Sequence, residues 1–574
     1  MDPFTRGQEE IATGILATGG WSNPEEIEDL VAESQSWVSD PSIAAKRDQP
    51  LRVYHKGCVF LGETSDKRQL PVGWKDDKHM VTIAGSRAGK GRSAIIPNLY
   101  VYSGSVVCVD PKGENAGLTA EWRAKPSRDG GLGQEVYVLD PFRVARVPEN
   151  LRATFNPLWM VNLKALDALE QISALADSIV VPGEDKDAHW DNSARDLIEA
   201  LILHVLSWSK YSKTRHLRKV RTLLMNGDID AIEPTISDQP QASIVFPGDL
   251  QEASDFDNQE DVGAFEILLQ SMLQNSAFDG AISGQAQNLL NMGIEERGSI
   301  LSTARRNTKF LDGMAIPRVL QKSNYNLNMK RLKKSPRGAT VYLCLPARYM
   351  ATHSRWLRLV INSLMTEVER APAKKDLPIL AILDEFPILG PMKKLETAIG
   401  YMAGFGLKIW TILQDINQIK RDYPKSWETF LGNAGICQYF GNSDRSTLEY
   451  ISKNLGEVEV WPIIETKTVM DQIQKGHLSD EDLKERLKKK SFLSKLTTED
   501  TDYVQNSFLT GTQVTTAAQV MKTALMTPDE VAREFSRDER RQIISTPDIK
   551  PFYLKRVNYD ERNAKTYWGK LNRN

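Results

Sequence analysis

Cysteine is scarce in this chain. The four residues, Cys58, Cys108, Cys344 and Cys437, are scattered through 574 positions and none forms a CxxC pair. That spacing excludes a disulfide framework. The seven histidines do not combine at helical spacing with cysteines or carboxylates into a convincing ligand set, so no metal cluster is expected either. Cys108 and Cys344 lie in apolar runs, and reduced, buried thiols are the expectation. No run reaches the roughly eighteen apolar residues of a membrane-spanning helix. The start, Met1–Asp2–Pro3–Phe4–Thr5, does not read as a signal peptide. Net charge is also missing: 73 Lys and Arg against 75 Asp and Glu leave −2. A chain without a basic coat is a poor non-specific binder of nucleic acid over its monomer surface, although a basic channel formed on assembly stays open.

What the chain does have is a short glycine-rich loop in a telling place. After the β-favouring run His79–Met80–Val81–Thr82–Ile83 comes Ala84–Gly85–Ser86–Arg87–Ala88–Gly89–Lys90–Gly91, and a helix-compatible segment follows. Strand, small-residue loop, Gly-Lys and helix are the parts of a phosphate-binding loop, whose N–H groups wrap phosphate while the lysine reaches its outer oxygens. Two positions depart from the usual spacing. Ala84 stands for the first glycine, and Gly91 stands where a Ser or Thr hydroxyl normally meets Mg²⁺. Ser93, two residues on, is the candidate replacement. Alone, such a loop also reads as an ordinary strand-to-helix turn.

Two further segments support the loop. Leu377–Leu383 is an apolar run ending in Asp384–Glu385. It reads as a fully buried strand of a parallel sheet with its carboxylates at the ligand-binding edge. Asp384 is the candidate Mg²⁺ ligand, and Glu385 the candidate group to orient and deprotonate an attacking water. Leu407–Leu413 is a second apolar strand, closed by Gln414, which in that place positions water or senses a γ-phosphate. Each feature alone also fits a plain strand end. The ordered trio points to binding and hydrolysis of a nucleoside triphosphate, with ATP and Mg²⁺ as cofactors.

The surrounding pattern is α/β. Strands at Val81–Ala84, Val106–Asp110 and Val136–Asp140 alternate with helical segments, which implies a parallel sheet. Asp110–Pro111–Lys112–Gly113 closes one strand at the same edge as the loop and reads as a supporting site element or a turn. From about 160 to 325 the period changes: Trp190, Ala194, Leu197, Ile198, Leu201, Ile202 and Val205 follow helical spacing. Ala264–Leu273 and Ser299–Leu311 do the same. His189 and Trp190 read as cap and packing of the first helix more than as substrate contacts, and Arg305–Arg306 as a solvated face more than as a contact to phosphate or nucleic acid. Strands resume at Ala339–Leu345 and continue to Ile436–Phe440. The expected map is therefore a helical arm over 1–50, nucleotide-binding segments over 51–160 and 326–460, an all-α insertion over 160–325, a charged insertion over 461–525 that includes Lys488–Lys489–Lys490, and a closing segment over 526–574 with a final strand near Asp548–Tyr553.

At these residues the chain resembles the TraG/VirD-type coupling proteins of conjugation and type IV secretion. The likeness rests on Gly85–Ser86–Arg87–Ala88–Gly89–Lys90–Gly91–Arg92–Ser93 with Ile96–Pro97–Asn98–Leu99, on Val107–Glu114, Phe155–Leu158 and His189–Trp190–Asp191, and on Ser302–Thr303–Ala304, Leu383–Phe386, Gln414–Asp415 and Met526–Val531. Gly-Lys-Gly is common in that family. The resemblance implies a RecA-like motor domain with an inserted all-α domain, in which the loop residues 85–93 hold nucleotide. It further implies a hexamer at the cytoplasmic face of the inner membrane, and delivery of DNA, relaxase or effector proteins to a secretion channel. Relatives carry N-terminal membrane helices and this chain departs from them, so the chain as given is expected to be soluble, with either an anchor removed or a naturally soluble member that docks through partners. A neighbouring subunit is expected to lend an arginine. The stretch Gly400–Gly406, where some relatives carry a basic residue, has none, and Arg445 is the remaining candidate. Two other readings stand beside this one: a substrate-receptor adaptor that uses ATP binding only for assembly, and a DNA-translocating ATPase outside secretion.

Overall fold

A computed structural model describes residues 52–571, apart from 66, 68, 182–187, 229–255, 371–376, 461–520 and 548. The expected N-terminal arm and nearly all of the charged insertion, Lys488–Lys490 included, lie outside the described residues.

Apolar runs too continuous for a half-exposed strand are buried on both faces, the condition of a parallel sheet covered by helices. β4 (His79–Ala84), β5 (Val106–Asp110), β7 (Ala339–Cys344), β8 (Ile379–Leu383), β9 (Leu407–Leu413) and β10 (Ala434–Phe440) are buried at every position. With β6 (Glu135–Leu139) they pair in parallel in the order β10-β4-β9-β8-β5-β7-β6. The sheet then continues past β10 in antiparallel fashion through β13 (Arg541–Ser545), β14 (Phe552–Lys555), β2 (Val59–Glu63), β3 (Pro71–Trp74) and β1 (Arg52–Val53). A separate hairpin pairs β11 (Glu457–Val460) with β12 (Met521–Ala524).

The final strand expected near Asp548–Tyr553 is β14, which begins at Phe552. Its antiparallel partner β13 and the β1–β3 meander did not stand out in the apolar pattern.

Polar residues inside the sheet are joined into a chain. The Trp410 indole donates to Thr82 Oγ1 (2.8 Å), and the Thr82 hydroxyl donates to Gln438 Oε1 (2.8 Å). The Gln438 amide donates to Gln542, and the Gln542 amide to the Leu61 carbonyl. The run links residues on five strands, β9-β4-β10-β13 and, past β14, β2, and spans the boundary between the parallel and antiparallel halves. Each member satisfies the next, so none bears an uncompensated desolvation cost.

Between β6 and β7 the described residues carry helices and no strand of the sheet. Helix Ala188–Ser207 buries Ala194, Leu197, Ile198, Leu201, Ile202 and Val205 completely, as the 3.6-residue spacing requires. The helices do not form a core of their own. One hydrophobic cluster runs from Val81, Ile83 and Val109 in the sheet, through Leu357 and Leu364 of helix Ala347–Arg370, to Ile172, Leu201 and Leu268 in the helical layer. No helix among the described residues is long and apolar enough to cross a membrane. All four cysteines are buried, and no disulfide joins them among the described residues.

Thr82→Val keeps shape but removes the hydroxyl that links Trp410 to Gln438. The variant is expected to lose about 1–3 kcal/mol of stability, read as a lower midpoint in urea unfolding. An unchanged midpoint would show that the polar chain contributes nothing.

Candidate active site

Parallel pairing puts the carboxyl ends of all seven strands at one edge of the sheet. β9 lies directly between β4 and β8. The segments that follow these strands, the glycine loop after Ala84, Gln414 after Leu413 and Asp384–Glu385 after Leu383, therefore stand side by side, although some 290 residues separate the first from the last. Two strand spacings are about 10 Å, a gap suited to a phosphate chain.

The loop is built around two glycines. Gly85 donates its N–H to the Phe440 carbonyl (3.3 Å), and a methyl group on it would run into the carbonyl oxygen of Gly441. Gly89 has φ 93°, a left-handed conformation that costs other residues energy, and Arg87 is also left-handed at φ 57°. The Ala88 N–H closes the turn onto the Gly85 carbonyl (3.2 Å). The N–H groups of Ser86, Arg87 and Gly89 donate to no carbonyl among the described residues, which leaves a concave set of donors of the kind that takes an anion. Beyond Lys90 a wide π turn, Gly91–Ile95, leads into helix Ile96–Val101.

The Lys90 ammonium donates to the Ala84 carbonyl (3.1 Å). Burial lowers its pKa, against the opposing pull of Glu385, Asp384 and Asp415. Burial first, then the neighbouring Glu385, pushes the Asp384 carboxyl up to about 7. Its Oδ1 accepts from the Glu385 N–H (3.1 Å). Glu385 is left-handed at φ 54°, an unusual state for a bulky side chain and one that recurs at functional sites. The Gln414 amide donates to Glu385 Oε2 (3.0 Å). The structure thus joins Glu385 and Gln414 directly and sets Glu385 within the field of Lys90.

The other candidates have partners of their own. Ser93 is buried and donates its hydroxyl back to the Gly89 carbonyl (3.0 Å). Arg92 pairs with Asp560 (2.6 Å) on the C-terminal segment. Asp110 is buried, accepts from the Ala116 N–H (2.8 Å) and anchors helix Glu114–Ala124. Arg305 donates to the Leu224 and Met225 carbonyls and so braces two helices where a solvated face was expected, while Arg306 is exposed, as expected, and stands 3.6 Å from Asp191. His189, the second residue of helix Ala188–Ser207, is exposed, and Trp190 packs partly buried on the core. Arg445 opens helix Arg445–Leu455, fully exposed, and pairs with Glu449 (2.6 Å).

One residue at the site escaped the motif reading. Arg556, just past β14, is 4% exposed and donates from Nη1 to the Ala88 carbonyl (2.6 Å). No local pattern marks it.

Loop, acid pair and mostly parallel sheet together define an α/β fold of the RecA-like P-loop class. The chain belongs to the family described as type IV secretory system conjugative DNA transfer, whose model matches residues 21–472. It is 26% identical over 399 residues to the conjugal transfer protein TraG of Escherichia coli, covering 67% of this chain and 56% of that protein. To VirD4 of Rhizobium rhizogenes it is 26% identical over 389 residues, covering 67% and 50%. It thus spans little more than half the length of these curated relatives. Among solved structures, the coupling protein TrwBdeltaN70 superposes with a TM-score of 0.53 at 13% identity, over 88% of this chain and 91% of that one. TrwB in complex with ADP and Mg²⁺ gives 0.51 at 14% identity, over 90% and 98%.

The two loop glycines are expected to respond oppositely to alanine. Gly91 has a helical backbone with nothing within 4 Å of an added methyl, so Gly91→Ala stabilises by up to about 1 kcal/mol. Gly85→Ala forces the loop off Gly441 and destabilises. Thermal unfolding of the two variants checks the contrast. Equal effects would mean that the loop is not seated on Gly441.

Proposed function

We propose that the chain is an ATP-hydrolysing coupling protein that recruits DNA–relaxase or effector substrates to a type IV secretion channel and drives their transfer. The observation that carries this reading is the side-by-side placing of the Lys90 loop, Gln414 and Asp384–Glu385 on three neighbouring strand ends, with Gln414 bonded to Glu385. Family membership supports the pathway.

The residues fit ATP with Mg²⁺: unpaired loop N–H donors and an ammonium for phosphate, and a carboxylate for a hard cation. When bound, ATP brings the bond to be broken and Mg²⁺ spreads the charge on its phosphates. The N–H groups of Ser86, Arg87 and Gly89, with the Lys90 ammonium, hold phosphate oxygens. Asp384 takes the cation, and Ser93, its hydroxyl proton already given to Gly89, offers lone pairs as the second oxygen donor. Glu385 orients a water and accepts its proton, and the Gln414 amide fixes the carboxylate that does so.

In this reading residues 51–160, 326–460 and 526–574 make the nucleotide-binding part, and 160–325 an all-α insertion. The working form is a hexamer at the cytoplasmic face of the inner membrane, with charge on the transferring phosphate met by an arginine from a neighbour. Arg445 is the candidate, since its ion pair among the described residues is an exposed i,i+4 contact that costs little to break.

The adaptor reading has one observation in its favour, the glycine at position 91 where the metal hydroxyl usually stands. Two variants separate binding from turnover. Lys90→Ala is expected to weaken ATP binding, whereas Glu385→Gln binds ATP at parent strength and loses hydrolysis by about 10²-fold or more. Nucleotide titration with turnover assays checks both. A parent enzyme that binds ATP without turnover, alone or with DNA, would favour the adaptor. Parent-rate hydrolysis by Glu385→Gln would remove this residue as base.

An arginine lent by a neighbouring subunit has a kinetic consequence. ATPase rate per protomer rises with protein concentration as subunits supply the missing arginine, and Arg445→Ala flattens that rise. A concentration-independent rate from a proven monomer would refute the shared site.

A further inference from the structure

The C-terminal segment is far from the motif residues in sequence, yet it grips the phosphate loop at two points. Arg556 reaches the Ala88 carbonyl, 468 residues away, and Asp560 pairs with Arg92. The second contact is exposed and weak. The first is not: Arg556 is buried, with its guanidinium over the Phe440 ring at 4.6 Å. Its other donors reach the carbonyls of Arg537 (2.9 Å), Arg541 (3.3 Å) and Ser536 (3.5 Å). Every one of these acceptors is a backbone carbonyl, and no ion pair joins Arg556 to a carboxylate among the described residues.

Burying an arginine without a counter-charge costs several kcal/mol in principle, and burial with nearby Arg540 lowers its pKa to about 10. An apolar side chain would fill the same space over Phe440 at less cost. What an apolar side chain cannot do is hold a carbonyl. In a trans peptide the C=O and the following N–H point to opposite sides. A donor locked on the Ala88 oxygen therefore fixes the Ala88–Gly89 peptide plane and turns the Gly89 N–H to the face away from Arg556. Gly89 is the residue most in need of such control, since its φ of 93° belongs to a region that glycine enters and leaves freely.

We propose that Arg556 is a positioning residue for the phosphate loop. It sets the Gly89 N–H for phosphate through the Ala88 carbonyl, and so couples loop occupancy to the hairpin of β13 and β14. This rests on the nucleotide reading of the loop. Phosphate bound on one face of the Ala88–Gly89 peptide draws on its N–H and makes its carbonyl a better acceptor for Arg556 on the other, since hydrogen bonds in series polarise one another. Occupancy then tightens the hairpin.

The test compares the full chain with Arg556→Met, Arg556→Lys and Lys90→Ala in titrations with ATP and Mg²⁺. Methionine keeps the bulk over Phe440 and removes the donors. Arg556→Met is expected to weaken ATP about tenfold in protein that is still folded at the assay temperature. Arg556→Lys, which keeps one donor, recovers part of the loss. Lys90→Ala weakens ATP at least as much as Arg556→Met. Parent affinity in Arg556→Met beside a loss in Lys90→Ala would overturn the role of Arg556 and leave the nucleotide site standing. Parent affinity in Lys90→Ala would overturn the nucleotide reading itself. Should Arg556→Met fail to fold, hydrogen exchange on the unaltered protein decides. Saturating ATP and Mg²⁺ should slow exchange across Arg541–Lys555, and equal exchange with nucleotide demonstrably bound would overturn the coupling.

Discussion

Parallel pairing of β4, β9 and β8 is the constraint on which the rest depends. In a parallel sheet every strand delivers its following loop to the same edge, so three loops whose strands are adjacent must meet. Sequence distance is irrelevant to that outcome. The roughly 200 residues between β6 and β7 leave and return without disturbing it, because β7 re-enters beside β5 and β6 and not between β4 and β8. The phosphate loop needs one more support, on its outer side, and β10 provides it. Phe440 accepts from Gly85, and the Gly441 carbonyl sits where a side chain on Gly85 would be. Glycine at 85 thus reflects the closeness of β10, and glycine at 89 the turn itself.

How much of this was legible depended on how local the signal was. β9 reads from its apolar run at Leu407–Leu413 and is observed over the same residues. β8 begins two residues later than its run, because Leu377 and Pro378 precede the strand. The helix at Ala188–Ser207 follows from side-chain period alone. The convergence of Lys90, Glu385 and Gln414 was legible from order and strand type. The antiparallel half was not. β13 is Arg-Gln-Ile-Ile-Ser and β14 is Phe-Tyr-Leu-Lys, short and partly polar, and their partners lie hundreds of residues away. Arg556 was illegible for the same reason: a basic residue after a short strand normally faces water, and only the tertiary fold buries it. The left-handed Glu385 leaves no mark in composition either.

The polar chain from Trp410 to Leu61 shows how the two halves of the sheet are made into one. A seam between parallel and antiparallel strands closed by apolar contact alone would tolerate sliding of register. A buried hydrogen-bonded series does not, since a one-residue slip turns every side chain to the opposite face and strands each donor without water. The C-terminal hairpin that carries Arg556 hangs on this series through Gln542. Its hold on the phosphate loop is therefore as precise as the register of the sheet.

A comparable tether faces the helical layer. Arg358, in helix Ala347–Arg370, is 3% exposed and donates to the Leu389 carbonyl (2.7 Å), the Pro391 carbonyl (2.8 Å) and the Ser178 carbonyl (3.1 Å). The first two lie in the loop that begins with Asp384–Glu385. The third ends helix Ala168–Ile179 of the helical layer. Burial lowers the pKa of this guanidinium to about 10, and its bonds go to carbonyls, as those of Arg556 do. A buried charge so placed cannot release one carbonyl cheaply, because the loss of a charged hydrogen bond without water to replace it costs about 1.5–3 kcal/mol. Movement of the acid-pair loop must therefore break that bond or carry the end of helix Ala168–Ile179 with it. The helical layer shares one continuous core with the sheet, and close-packed interiors transmit displacement instead of absorbing it. Two buried arginines thus hold the backbone around the site from opposite sides, one on the loop after β4 and one on the loop after β8, and each fastens that backbone to a different part of the fold.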